Sequence, residues 1–205
     1  MRIVMLGAPG SGKGTQAKLI SEFLGIPSVS TGEIFRDNIR RKTELGIKIQ
    51  KIIDAGDLAP DELTVEIVKN RIRESDCVRG CLLDGFPRNV AQAAALEEFY
   101  APDIVIELDI PFDLIEKRIT GRRNCAKCKG SYHIDAIGDR DDCPACGGEL
   151  VVRADDNATA VKERLKVYRE QTEPLTEYYA KLGKLKKIQA DAPIKEVFEK
   201  IKKVL

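Results

Sequence analysis

Apolar, strand-like runs recur at Ile3 to Leu6, Cys81 to Leu83, Ile104 to Leu108 and Leu185 to Ile188, with a shorter run near Val29. Short, mostly apolar runs of this length are the pattern of buried strands. Stretches of helical length separate them, so the pattern predicts an α/β fold with a parallel sheet covered by helices on both sides. Helix-start signals agree: Ser30 with Glu33 forms a capping box, Asp61 is placed to cap a helix over Glu62 to Glu74, and Asp191 with Pro193 opens the last helix. That helix sets Ile194, Val197, Phe198, Ile201 and Val204 on one stripe, the expected core face. Tyr168, Tyr178 and Tyr179 lie on a helical pattern interrupted by Pro174, and core packing is expected for them.

Two stretches depart from the alternation. Residues 30–59 insert charged helical material punctuated by Gly46 and Gly56, and residues 122–156 lack long apolar periodicity but hold four cysteines and several glycines. Neither carries enough apolar surface for much of a core alone, so both read as appendages on a core of residues 1–29, 60–121 and 157–205. There is no internal repeat or low-complexity tract.

At 205 residues the chain suits one α/β domain with insertions. Its 34 basic and 33 acidic residues nearly cancel, so no overall field points to nucleic acid or an anionic membrane, and anion binding must reside in local clusters. No apolar stretch approaches a membrane span, and a strand opening at Met1 leaves no room for a signal peptide. The expected compartment is the cytoplasm, where the redox poise disfavours disulfides among the six cysteines.

The first apolar run opens directly onto Gly7-Ala8-Pro9-Gly10-Ser11-Gly12-Lys13-Gly14-Thr15. A polyphosphate site needs backbone N–H groups that can approach closely, a cation and a helix N-terminus. The glycines, Lys13 and a helix over Thr15 to Phe23 supply all three, and the match to G-x-x-x-x-G-K is complete. Gly14 stands in the usual Ser/Thr place and the hydroxyl arrives one residue later, which leaves a metal role for Thr15 open.

Cys125-x-x-Cys128 and Cys143-x-x-Cys146 are two knuckles with the spacing of a tetrahedral Zn²⁺ site. Metal binding would stabilise a segment too small to fold on apolar burial. Four thiolates fill the shell and leave no position for water or substrate, so the metal expected is structural, and His133 is expected to be neither ligand nor proton shuttle. Arg122, Arg123, Lys127 and Lys129 lie near enough in sequence to offset the negative cluster. Cys77 and Cys81 lack knuckle spacing and read as reduced, packed thiols.

The phosphate loop, Ser30-Thr31-Gly32-Glu33 with Arg36, Leu83-Asp84-Gly85-Phe86-Pro87-Arg88 with Gln92, Gly121-Arg122-Arg123 and Arg153-Ala154-Asp155-Asp156 occur in a single order. Together they resemble the adenylate kinase family in its long-lid form, across essentially the whole chain. The Asp-Gly-Phe-Pro-Arg block beside such a loop is specific to nucleoside monophosphate kinases, and the four-cysteine insert looks like a zinc-bearing lid. The resemblance implies a P-loop NTPase-type, five-stranded parallel sheet with residues 30–59 as AMP-binding insertion and 122–156 as lid. It also implies Mg²⁺-dependent phosphoryl transfer from ATP to AMP giving two ADP, by a monomer.

The same resemblance assigns roles. Gly10, Ser11, Gly12, Lys13, Gly14 and Thr15 would surround the ATP phosphates, with Lys13 following the charge that develops on the transferred group. Arg118 and Arg122 would lie on the ATP side, Ser131 and Tyr132 would match lid positions near ATP, and Ala192 would meet adenine through backbone. For AMP, Thr31 and Arg36 would hold the nucleotide, Asp57, Leu58 and Ala59 would line the base pocket, and Gly85, Phe86, Pro87, Arg88 and Gln92 would close it. Arg88, Arg153 and Arg164 would converge on the AMP phosphate and the transferring group, Asp84 would orient waters on Mg²⁺, and Asp155 and Asp156 would sit at the lid hinge. Arg40, Arg41 and Arg123 are expected to make surface pairs only.

Transfer between two phosphates needs no general base, because the acceptor oxygen is already ionised at neutral pH. The protein must align two anions, neutralise charge and exclude water, a task for arginines under a closing lid. Asp57 is acidic where many relatives of this family carry a neutral or basic residue, and the lid is slightly compact between its knuckles. Base choice rests on Thr31 and the 57–59 segment, so a UMP or CMP kinase remains open. A zinc ribbon binding nucleic acid is the reading from another class; the near-neutral charge and the lack of clustered aromatics for base stacking in the module oppose it.

Overall fold

The structure, a computed structural model, describes every residue except Gly56, Ala154 and Asp155, and the backbone alone of Ala55 and Ala158. The chain runs through β1 (Ile3–Gly7), α1 (Lys13–Leu24), β2 (Ser28–Ser30), α2 (Thr31–Arg40), α3 (Glu44–Ala55) and α4 (Asp61–Ile72). It continues with β3 (Leu82–Asp84), α5 (Val90–Tyr100), β4 (Ile104–Asp109) and α6 (Phe112–Thr120). The four-cysteine segment holds β5 (Arg122–Cys125), β6 (Ser131–His133), α7 (Ile134–Ile137) and β7 (Leu150–Val151). The chain then returns through α8 (Ala158–Val167), a π-helical turn (Tyr168–Thr172), α9 (Pro174–Lys181), β8 (Leu185–Gln189) and α10 (Ile194–Lys202).

The strands at the expected apolar runs form one five-stranded sheet in the order β2-β3-β1-β4-β8, and every pairing is parallel. β1 is buried along its whole length because it lies between β3 and β4 with helices on both faces. One face packs Ile3, Met5, Leu82, Ile106 and Leu108 under Ala17 and Ile20 of α1 and Val197 and Ile201 of α10. The other packs Val4, Leu6, Leu83 and Val105 under Val68, Ala93, Leu96, Leu175 and Tyr179. Tyr168 and Tyr179 are buried and Tyr178 packs against the core, as their helical spacing requires.

Three local expectations are corrected. Pro60 precedes α4, and Asp61, as its first residue, does not cap it; the Asp61 carboxylate accepts from Asn89 and Gln92 instead. Ile194 is the first residue of α10 and is 56% exposed, so the core stripe starts at Val197. Pro174 widens its helix into a π-turn, and the helix resumes directly after it.

The 30–59 segment gains a core of its own by leaning on α4: Phe35, Ile49 and Ala59 pack with Leu63 and Ile67. The four-cysteine segment forms a separate antiparallel sheet, β6-β5-β7. Among the described residues no helix is long and apolar enough to cross a membrane.

Candidate active site

The C-terminal ends of β1 and β3 deliver the first two groups, as parallel sheets do for the ligands they bind. β1 ends at Gly7, whose φ of 136° and a would-be Cβ only 2.6 Å from the Leu108 carbonyl oxygen leave room for glycine alone. The loop that follows turns into α1 at Gly12, and no side chain caps the helix, so its first N–H groups are open to an anion. The Lys13 ammonium donates to the carbonyls of Gly7 and Ala8 at 2.6 and 2.9 Å. β3 ends at Asp84, whose Oδ2 lies 3.6 Å from where a Cβ on Gly14 would stand. That is an ordinary contact distance, so the space around Gly14 does not itself demand a glycine.

Burial of the Lys13 ammonium pushes its pKa down to about 8; Asp84 opposes this, while Arg88, Arg164 and Arg122 add to it. Three arginines, from the loop after β3, from β5 and from α8, thus bear on one lysine. Arg122 and Arg164 meet at Asp156, whose side chain is fully buried. Asp156 accepts from Arg122 Nε at 2.8 Å, from Arg122 Nη2, and from Arg164 Nη1 at 3.4 Å. Asp155 lies outside the described residues.

A second centre forms around Glu33. Its amide donates to Ser30 Oγ at 3.4 Å, the first half of the capping box. Its carboxylate accepts from Arg36 at 2.5 Å and lies 3.6 Å from Arg153. Burial raises the Glu33 pKa, but the Arg36 and Arg153 charges outweigh it and the net shift is downward. Arg153 also donates to Asn124 Oδ1 at 2.9 Å, and burial, with Arg36 and Arg122 close by, lowers its pKa to about 10.

Between the centres lies a cavity lined by Thr31, Arg36, Asp57, Leu58, Ala59, Gly85, Arg88, Gln92 and Arg164. Gly32, Phe35, Ile53 and Thr64 line it too, and sequence reasoning missed them. Phe35 and Ile53 belong to helical apolar patterns that read as ordinary core, so no local signal sets them apart. Thr31 and Arg88 both donate to the Gly85 carbonyl, at 2.8 and 2.9 Å. Gly85 has a φ of 81°, and a Cβ there would meet Thr31 Oγ1 and Arg88 Nη2 at 3.1 Å. Gln92 is buried with both ends of its amide engaged: Oε1 accepts from the Arg88 N–H and Nε2 donates to Asp61. The Phe86 side chain is fully buried in the sheet core, and neither it nor Pro87 lines the cavity.

Other candidates do not line this cavity. Arg118 donates to the Ala190 carbonyl at 3.1 Å, and burial lowers its pKa. Ala192 packs against the core and Ser131 is exposed. The Tyr132 hydroxyl stands 3.3 Å from Cys143 Sγ. Arg40 and Arg41 pair with Asp37, and Arg123 donates to the carbonyls of Thr120 and Arg122.

Cys125, Cys128, Cys143 and Cys146 bring their sulfurs within 4.8 Å of one another, with Cys125–Cys146 at 3.5 Å and Cys128–Cys143 at 3.7 Å. A Zn–S bond of about 2.3 Å places sulfurs of a tetrahedron about 3.8 Å apart. The four could therefore hold a metal ion with little movement. His133 stays outside: its Nε2 lies 3.1 Å from the Lys117 carbonyl oxygen, and its Nδ1 accepts from the Asp135 N–H. Cys77 and Cys81 are buried thiols, and burial raises the pKa of both, that of Cys77 to about 12.

A glycine-rich loop at the end of the first strand, an aspartate at the end of its neighbour and arginines gathered from inserted segments define a phosphate-loop α/β protein. Residues 5–184 match the family model for adenylate kinase. The adenylate kinase of Clostridium tetani is 51% identical and that of Clostridium acetobutylicum 50%, over 212 aligned positions covering all of this chain and 98% and 99% of those proteins. That of Clostridium kluyveri is 48% identical over the same span. The chain belongs to the adenylate kinase family.

Proposed function

We propose that this chain transfers a phosphoryl group between ATP and AMP, forming two ADP. The observation that carries the reading is that Arg88, Arg122 and Arg164 all bear electrostatically on the buried Lys13 ammonium, beside a cavity lined by Arg36, Arg88 and Arg164. The phosphate loop from Gly10 to Thr15 receives the ATP phosphates, and the cavity receives AMP between Thr31, the 57–59 backbone and Gly85. Arg36 and Arg153 take the AMP phosphate, leaving Arg88, Arg122 and Arg164 to neutralise charge on the group in transit. No side chain need remove a proton, because the attacking phosphate oxygen is already ionised. Arg118, Ser131, Tyr132 and Ala192 remain candidates for the ATP nucleoside side.

Asp84, beside the loop and within the field of Lys13, suits a carboxylate that holds Mg²⁺ through its waters. When bound with nucleotide, Mg²⁺ neutralises phosphate charge. We assign zinc to the four cysteines, as a structural ion that closes the lid's small sheet. In this reading residues 1–29, 60–121 and 157–205 are the core, 30–59 the AMP-binding insertion and 122–156 the lid. Because one chain supplies both phosphate sites, a monomer suffices, and unoxidised thiolates suit the cytoplasm.

A coupled assay with a panel of acceptors tests the reading. AMP is expected to be the preferred acceptor with ATP and Mg²⁺, with UMP and CMP accepted poorly. Preference for UMP or CMP would reassign the acceptor, and failure with every monophosphate would overturn the function.

A further inference from the structure

The π-turn between α8 and α9 is a feature that phosphate binding does not use. Pro174 has no N–H, and in a regular helix its ring would collide with the carbonyl four residues back. The chain relieves this by widening: the Glu173 N–H bonds the Tyr168 carbonyl, five residues earlier, at 2.8 Å.

The wider turn changes where Thr172 faces. At about 100° per residue, Thr172 would stand about 80° round a regular helix from Arg164, eight positions earlier. The extra residue in the π-turn takes up that excess and brings Thr172 toward the side from which Arg164 enters the cavity. A threonine inside a helix commonly returns its hydroxyl to the carbonyl four residues back. Here that hydroxyl leaves the helix and donates to the Arg88 carbonyl at 2.7 Å, across 84 positions of sequence.

Arg88 is thereby held on both sides of its backbone. Its N–H donates to Gln92 Oε1 at 2.8 Å, and Gln92 is itself tied to Asp61 at 2.7 Å. Its guanidinium leans on the Gly85 carbonyl at 2.9 Å. One helix therefore supplies Arg164 to the cavity directly and fixes Arg88 through a hydroxyl. Pairwise placement of two guanidinium groups on one phosphoryl group is sensitive to small displacements.

We propose that Thr172 is a positioning residue for phosphoryl transfer, acting through the backbone of Arg88. The proposal rests on the ATP–AMP reading above. It is tested by comparing the parent with Thr172→Val and Thr172→Ala, which lack the donor, and Thr172→Ser, which keeps it. Each is also made in an Arg88→Lys background, with ATP affinity measured separately in the absence of AMP.

Loss of one such hydrogen bond is expected to lower kcat/KM for AMP about threefold to tenfold in the Val and Ala variants. Thr172→Ser should stay within about twofold of the parent, and ATP affinity should hold within the same margin. In the Arg88→Lys background the loss should shrink, because the residue being positioned is already altered. Parental kinetics in both donor-less variants would overturn the proposal. So would equal loss on the two backgrounds, failure of Ser to rescue, or a matching fall in ATP affinity. An active parent with unaffected variants rejects the role of Thr172 alone; a parent inactive with every acceptor rejects the functional reading as well.

Discussion

The carboxylate of Glu33 lies 3.6 Å from the guanidinium of Arg153, so a residue of α2 directly meets a residue of the four-cysteine segment. The same oxygen accepts from Arg36 at 2.5 Å. An internal anion thus stands between the two arginines assigned to the phosphate of AMP.

Removing that anion should favour its competitor. Glu33→Gln is expected to lower KM for AMP about twofold to fivefold, a modest effect because the carboxylate is partly solvated and screened. The gain should narrow as salt rises. Initial rates at varied AMP and two ionic strengths check both points; a higher KM in the variant would show that Glu33 holds the arginines in place rather than competing for them.

The depressed pKa of Lys13 has a consequence for pH. In the protein without nucleotide the ammonium titrates near 8, and an arriving polyphosphate favours the charged form and raises that value. Binding should therefore take up a proton from about pH 8 upward, and ATP affinity should fall as pH rises through this range. Calorimetry at pH 8.5 in two buffers of different ionisation enthalpy reads the uptake directly. Lys13→Arg, which stays charged, should abolish it.

Elements were legible in the sequence where burial is two-sided. β1, β3 and β4 could be read from apolar runs because the helices over both faces leave few polar positions in them, Asp84, Glu107 and Asp109 being the exceptions. Contacts made at a distance were not legible. Ser30 caps α2 as its spacing predicts, yet the Glu33 carboxylate turns away to Arg36 and Arg153, the latter 120 positions later. Asp61 carries a helix-start signal but spends its carboxylate on Asn89 and Gln92. Pro174 announced an interruption without revealing that the helix widens and continues, and the partner of Thr172 has no trace in local pattern. The cysteines were legible because the knuckle spacing is local.

Asp156 gives a test of the arginine cluster. Its buried carboxylate joins Arg122 to Arg164, and Asp156→Asn leaves two guanidinium groups to repel each other in a place of low exposure. The expected result is a fall in kcat of about tenfold or more with a smaller change in KM, since the arginines are needed most where charge develops. Steady-state kinetics at saturating ATP and AMP provide the measurement, and unchanged kcat would remove Asp156 from the machinery.

The four-cysteine site separates stability from chemistry. Cys125 and Cys143 are buried while Cys128 is exposed, so the ion would bind at the edge of the small sheet, where it stands in for an apolar core. Cys125→Ala is expected to lower metal content and Tm, because three thiolates bind zinc more weakly and the segment has little else to hold it. The phosphate loop belongs to the main sheet, so ATP affinity measured below the new Tm should change much less than stability does. Chelation of the parent should reproduce the variant, and adding zinc back should restore the parent but not Cys125→Ala. Metal analysis, thermal unfolding and nucleotide titration on the same samples decide it: full metal occupancy with unchanged Tm in the variant would deny the cluster its structural role.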